Sequence, residues 1–207
     1  MTGEEKKIGL MGGTFNPIHT GHLLLAETAY EQFQLDKVLF LPAKKPYHKT
    51  IHAMVSDEER LEMIRLAIQD NPHFELSLVD FQREGNTYTA DTLREFKRKY
   101  PNTQFYFIMG ADSLYQFAQW KEPEEILKRA ILLTAARDEL SSSSLNSQID
   151  YLIEKFGFGD IRLLKSPNME ISSHDIRKRI AKKESIRYLL PEAVREYMEK
   201  KQLYKER

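Results

Sequence analysis

Short apolar runs alternate with amphipathic stretches along this chain. Ile8–Met11 (I-G-L-M) is apolar and brief, and Leu23–Tyr30, after a glycine-rich turn, is made of helix formers. That order predicts a strand, a turn and a helix. The alternation recurs, with strands expected over Lys37–Leu41, Phe74–Val79, Gln104–Met109, Ile131–Ala135 and Ile161–Leu164. Between them, Arg60–Asp70 carries apolar residues at helical spacing behind a capping box that starts at Ser56. Thr89–Tyr100 is expected as a helix stopped by Pro101, and Glu122–Ala130 as one with Pro123 in its first turn. Ile149–Phe156, Ser172–Lys183 and Pro191–Leu203 complete the helices. Two stretches lack periodicity. Lys44–Val55 is polar and proline-containing, a long loop and a candidate lid, and Ser141–Ser147 reads as a flexible surface loop.

Apolar strands separated by helices imply a parallel sheet covered on both faces by right-handed crossovers. The expected fold class is therefore α/β, a doubly wound parallel sheet with helices at the C-terminal end. The 207 residues suit one well-buried domain, 1–207, better than two. Ligands of such sheets bind at the carboxyl ends of strands, near the switch in strand order.

Composition narrows the function classes. The 31 basic and 31 acidic residues balance, which speaks against a nucleic-acid binder working through bulk charge. With no cysteine, there is no disulfide, thiol nucleophile or Cys-ligated metal. The charged start is unlike a signal peptide, and no apolar run approaches the ~20 residues of a membrane span. The chain is expected in the cytoplasm, with no membrane or nucleic-acid partner.

Gly12-Gly13-Thr14-Phe15-Asn16-Pro17-Ile18-His19-Thr20-Gly21-His22 falls where the first strand turns into the first helix. Glycines allow backbone amides to approach an anion, and a helix start offers unpaired N–H groups and partial positive charge. His19 and His22, one helical turn apart, would share a side of that start. The motif is neither G-x-G-x-x-G nor a P-loop, because both spacings are missing. A turn with ordinary glycines and solvated histidines is the bland alternative, but the whole run has no packing rationale. Near the other end, Ile171-Ser172-Ser173-His174-Asp175-Ile176-Arg177 offers serine caps and an arginine on a first helical turn. Alone, that segment is better read as a plain cap with a surface arginine. Gly110 and Asp112 lie at the end of the fourth expected strand, where Asp112 either caps the next helix or meets a sugar hydroxyl. Trp120, the only tryptophan, is either core or a stacking platform, and Thr87 either a helix cap or a ligand contact.

The H-x-G-H run with I-S-S-x-x-I-R resembles the nucleotidylyltransferase superfamily. E-G-N-T-Y-T-A-D-T (84–92), F-I-M-G-A-D-S-L (107–114) and Trp120 resemble more narrowly the bacterial nicotinate mononucleotide adenylyltransferases, over nearly the whole chain. The resemblance implies a Rossmann-like fold and transfer of AMP from ATP to nicotinate mononucleotide, giving deamido-NAD and pyrophosphate. It implies catalytic His19, His22 and Arg177, and an ATP side made by Gly12, Gly13, Thr14, Phe15, His19, His22, Ile171, Ser172, Ser173 and Arg177. It implies a substrate side of His48, Lys49, Thr87, Gly110, Asp112 and Trp120. Mg²⁺ is implied with ATP, a protein-held metal is not, and a homodimer is an open option. Asn16, Ala43, Tyr47 and His174 depart from the family's usual residues. Alternatives are a related transferase using another acceptor phosphate, nicotinamide mononucleotide first, a non-catalytic nucleotide-binding regulator, and a fragment like a class I aminoacyl-tRNA synthetase.

Overall fold

The computed structural model describes residues 5–44, 55–135, 139–167 and 170–205, with the backbone alone for 139–142. Six strands build one sheet: β1 Lys6–Gly13, β2 Lys37–Pro42, β3 Phe74–Leu76, β4 Thr103–Gly110, β5 Ala130–Ala135 and β6 Ile161–Leu164. Their order is β3-β2-β1-β4-β5-β6, with every neighbouring pair parallel. Order therefore reverses between β1 and β4, and a crevice opens outside their carboxyl ends.

Alternate residues of each strand feed opposite faces. Met11, Phe40, Ile108 and Leu133 pack one side with Ala26 and Ala29 of α1 (Thr20–Phe33) and Met63 and Ile64 of α2 (Asp57–Ile68). Leu10, Leu41, Phe107 and Leu132 pack the other. There they meet Leu93 and Phe96 of α3 (Thr89–Lys99), Leu114 of α4 (Ala111–Gln116) and Ile126 of α5 (Pro123–Leu127). Leu145 and Leu152 of α6 (Glu139–Phe156) complete that layer. The C-terminal helices α7 (Ser173–Ala181) and α8 (Glu192–Lys200) join the first face through Ile176, Val194 and Met198. Burying each such Leu, Ile or Phe contributes about 1.5–3 kcal/mol of transfer free energy.

The doubly wound parallel sheet is as expected, and several local readings differ. Ser141–Ser147 is helix, inside α6, not loop. Serine composition hid the signal that decides it: Leu145 and Leu152, two helical turns apart, are both fully buried and anchor the helix to the sheet. The third strand ends at Leu76, and Val79–Phe81 is a 3-10 turn. At the sheet edge only β2 holds it, and the last contact is Ser77 N–H to the Phe40 carbonyl at 3.0 Å. Gly110-Ala111-Asp112 is not an open turn. Helix α4 starts at once, with Gly110 at its N-cap and Asp112 within its first turn. The helix expected to Ala130 stops at Leu127, because Ala130 already pairs with Phe105 in the sheet. Most of the candidate lid lies outside the described residues.

Candidate active site

Sequence locally dictates how β1 ends. Gly12 lies against Phe107, and a Cβ there would sit 2.8 Å from its ring. A Cβ on Gly13 would lie 2.8 Å from the Phe15 ring. Phe15 itself adopts φ 49°, a left-handed conformation that costs about 1–3 kcal/mol for a non-glycine residue. Its side chain repays this by filling the core at 1% exposure, against Phe40 and edge-on to His22. Phe15 thus supports the turn from below, and its ring does not face the cleft.

His19 is the N-cap of α1, and His22 follows within the first turn. Their rings lie 3.7 Å apart, tilted by 31°. The His19 backbone N–H donates to His22 Nδ1 at 3.2 Å. An Nδ1 that accepts leaves the ring proton on Nε2, so the hydrogen bond selects the tautomer. His19 is buried, and its Nδ1 finds no partner among the described residues. Burial pushes its imidazole down to about 4, so the ring is neutral around neutrality. Gly21 leaves room for this ring, since a Cβ there would lie 3.1 Å from His19 Nδ1.

That burial has a pH consequence. The unfolded chain protonates His19 near the ordinary value of about 6.5, the folded chain only near 4. Between those values the unfolded state binds the extra proton, so stability falls as pH drops. Between pH 7 and pH 5 the ligand-free protein should lose roughly 2 kcal/mol from this group. Urea unfolding at both pH values checks it. His19→Asn should remove about that much of the acid sensitivity, and an unchanged pH slope in the variant would refute the assignment.

Donors from two helices hold the carbonyls of the turn. Arg60 of α2, wholly buried, donates from Nη1 to the Thr14 carbonyl at 2.7 Å and from Nη2 to Asp57 Oδ1 at 2.5 Å. Arg177 of α7 donates from Nη1 to the Asn16 carbonyl at 2.6 Å, and Ser173 Oγ to that of Pro17 at 2.8 Å. Ser172 caps α7, its Oγ accepting from the Asp175 N–H at 3.1 Å. The N-termini of α1 and α7 are thereby brought side by side.

Both groups of expected residues line one cleft of about 1120 Å³. Gly12, Gly13, Thr14, His19, His22, Ile171, Ser172, Ser173 and Arg177 line it together with Thr87, Gly110, Asp112 and Trp120, and exposed His174 lines it too. Trp120 is half-buried and packs edge-on to Phe107, with ring centres 6.1 Å apart. Thr87 Oγ1 accepts from the Lys44 N–H at 3.2 Å. His48 and Lys49 lie outside the described residues. Among the described residues, no group of three or more His, Asp or Glu could hold a metal ion, and no helix is long and apolar enough to cross a membrane.

Sequence reasoning missed five residues at the cleft or beneath it. Asp80 and Thr92 line it as a hydrogen-bonded pair at 2.5 Å, and Arg83 reaches both. Burial pushes the Asp80 carboxyl up, while the Thr92 hydroxyl and the Arg83 guanidinium hold against that. Arg60 could have been found as a lone arginine on the apolar stripe of α2, one turn before Met63 and Ile64. Tyr204 carries no such local signal.

The cytidylyltransferase-like family model matches residues 10–179, which span β1 through α7. The chain belongs to the cytidylyltransferase-like family. Among curated relatives, the probable nicotinate-nucleotide adenylyltransferase of Lachnoclostridium phytofermentans is 50% identical, covering 96% of this chain and 99% of that one. That of Exiguobacterium sibiricum is 46% identical over 96% and 98%. Of solved structures, the nicotinic acid mononucleotide adenylyltransferase of Plasmodium falciparum complexed with NaAD superposes with a TM-score of 0.75. It covers 96% of this chain and 97% of that one at 23% identity, a likeness of fold. The resemblance read from H-x-G-H and I-S-S-x-x-I-R is borne out in family and fold. Membership makes the chain a nucleotidyltransferase.

Proposed function

We propose that this chain is a nicotinate-nucleotide adenylyltransferase, transferring AMP from ATP to nicotinate mononucleotide and releasing pyrophosphate, in the NAD biosynthetic route. The observation that carries the reading is the single cleft that joins the H-x-G-H turn and Arg177 to Thr87, Asp112 and Trp120. The first set supplies amides, imidazoles and a guanidinium suited to a triphosphate, and the second an aromatic face and polar groups suited to a flat ring on a ribose. One domain, 1–207, serves both substrates, and the cytoplasm, which supplies ATP, is the proposed compartment.

In this mechanism an anionic phosphate oxygen of the mononucleotide attacks the α-phosphorus of ATP. A new P–O bond forms there, and the bond to the β-phosphate bridging oxygen breaks, its electron pair leaving with pyrophosphate. The nucleophile is already ionised, so no strong base is needed, and catalysis rests on positioning and charge stabilisation. His22 Nε2–H and His19 donate toward the phosphate oxygens, and Arg177 neutralises the charge that develops on the leaving group. Mg²⁺ enters as part of its ATP complex, where it neutralises phosphate oxygens. Among the described residues there is no carboxylate cage, and the ion belongs to the substrate complex.

Pyrophosphate release with ATP and Mg²⁺, comparing nicotinate with nicotinamide mononucleotide, tests the acceptor. The acid should be used at least tenfold better, about 1.4 kcal/mol of discrimination. Equal rates would contradict the preference for the acid and make the amide a second substrate.

A further inference from the structure

Tyr204 lies six residues beyond Met198 of α8, far in sequence from the H-x-G-H turn, yet it lines the same cleft. Its hydroxyl donates to Asn16 Oδ1 at 2.6 Å. The same oxygen takes the Val55 N–H at a longer 3.4 Å. Asn16 is 2% exposed, and its carbonyl receives Arg177 Nη1 at 2.6 Å. One residue of the turn thus has Tyr204 on its side chain and Arg177 on its backbone.

The chain end is bent to make this contact. Gln202 and Tyr204 both adopt left-handed backbone, at φ 56° and φ 60°, a conformation unfavourable for side-chain-bearing residues. The bend drops Leu203 into the core at 6% exposure and turns Tyr204 inward. Leu203 accounts for an anchored tail. It does not account for the phenol aimed at Asn16. Burial pushes that phenol well above its ordinary range, so it remains a donor at any working pH.

We propose that Tyr204 is a positioning residue for nucleotidyl transfer, acting through Asn16 on the carbonyl that orients Arg177. The inference rests on the proposed ATP-side role of Arg177. With the hydroxyl removed, Asn16 Oδ1 loses the shorter of its two described hydrogen bonds, and the carbonyl that fixes the guanidinium loosens. The ring, its packing and the α8 tail are unchanged in Tyr204→Phe.

The test is a double-mutant cycle on the full chain, read by pyrophosphate release with Mg-ATP and nicotinate mononucleotide. Tyr204→Phe should lower kcat/KM for ATP about tenfold, the upper range for one lost hydrogen bond, leave KM for the mononucleotide unchanged, and lower the melting temperature by only about 2–4 °C. In an Arg177→Ala background the same substitution should cost nothing further, because the group it acts through is gone. An unchanged kcat/KM for ATP would overturn the proposal. So would the same tenfold loss in both backgrounds, or a loss spread equally over both substrates, which marks a purely structural role. No turnover by the unsubstituted chain would overturn the underlying functional reading and the inference with it.

Discussion

Arg177→Ala is expected to lower kcat/KM on the order of 10³-fold, with little change in melting temperature. The scale is that of removing an arginine that neutralises a transferring phosphoryl group. Arg177 is only partly buried, and its one described partner is the Asn16 carbonyl at 2.6 Å, so the fold loses about one hydrogen bond. The guanidinium fork has further N–H donors to direct into the cleft, and a phosphate can take two at once. Arg177→Lys keeps the charge but not the fork, and should recover only about tenfold of the loss. Steady-state kinetics with thermal denaturation measure both, and near-wild-type kcat/KM in Arg177→Ala would remove this residue from the machinery.

His22→Ala comes next, with kcat expected to fall about 10²–10³-fold, the scale of losing one aimed donor to developing oxyanion charge. The His19 N–H to His22 Nδ1 bond leaves the opposite ring nitrogen as the donor. That bond also caps α1, so some stability goes with it, about 1 kcal/mol, or a 2–4 °C fall in melting temperature for a chain this size. The two effects separate cleanly. A fall in melting temperature alone, with kcat intact, would make His22 a cap and nothing more. His22→Gln, which keeps an N–H donor, should retain more turnover than His22→Ala.

The parallel sheet was legible because its strands are apolar on both faces and punctuated by helices at regular spacing. Leu39 and Phe40 feed opposite layers, and such a run reads as buried strand without any knowledge of its neighbours. The turn at the end of β1 was legible for a different reason. Gly12, Gly13, His19, Gly21 and His22 are close in sequence, so their spacing reports their geometry directly. Composition misled where packing overrode it. The serines of α6 carry a weak loop preference, which burial of Leu145 and Leu152 outweighs. Asp112 is neither in an open turn nor the cap of α4, because the helix begins immediately after β4 with Gly110 at its N-cap, a residue that adds no side-chain signal.

What the sequence could not reveal was the support behind the turn. Arg60, Ser173, Arg177 and Tyr204 reach Thr14, Asn16 and Pro17 across 46 to 188 positions of chain. No local pattern encodes such contacts. They exist because α2, α7 and α8 share one face of the sheet, and that follows only from the strand order. The same holds for the cleft's two halves. Trp120 and His22 are far apart in sequence and meet because β1 and β4 are adjacent at the switch point.

The central claim is that one cleft joins AMP from ATP to a pyridine mononucleotide. ATP labelled with ³²P at the α-position, incubated with Mg²⁺, nicotinate mononucleotide and the purified chain, tests it most directly. The label should move into deamido-NAD, with one pyrophosphate released per dinucleotide formed and no label on the protein. Label that remains in ATP, appears as AMP or ADP, or becomes bound to the protein would contradict the account.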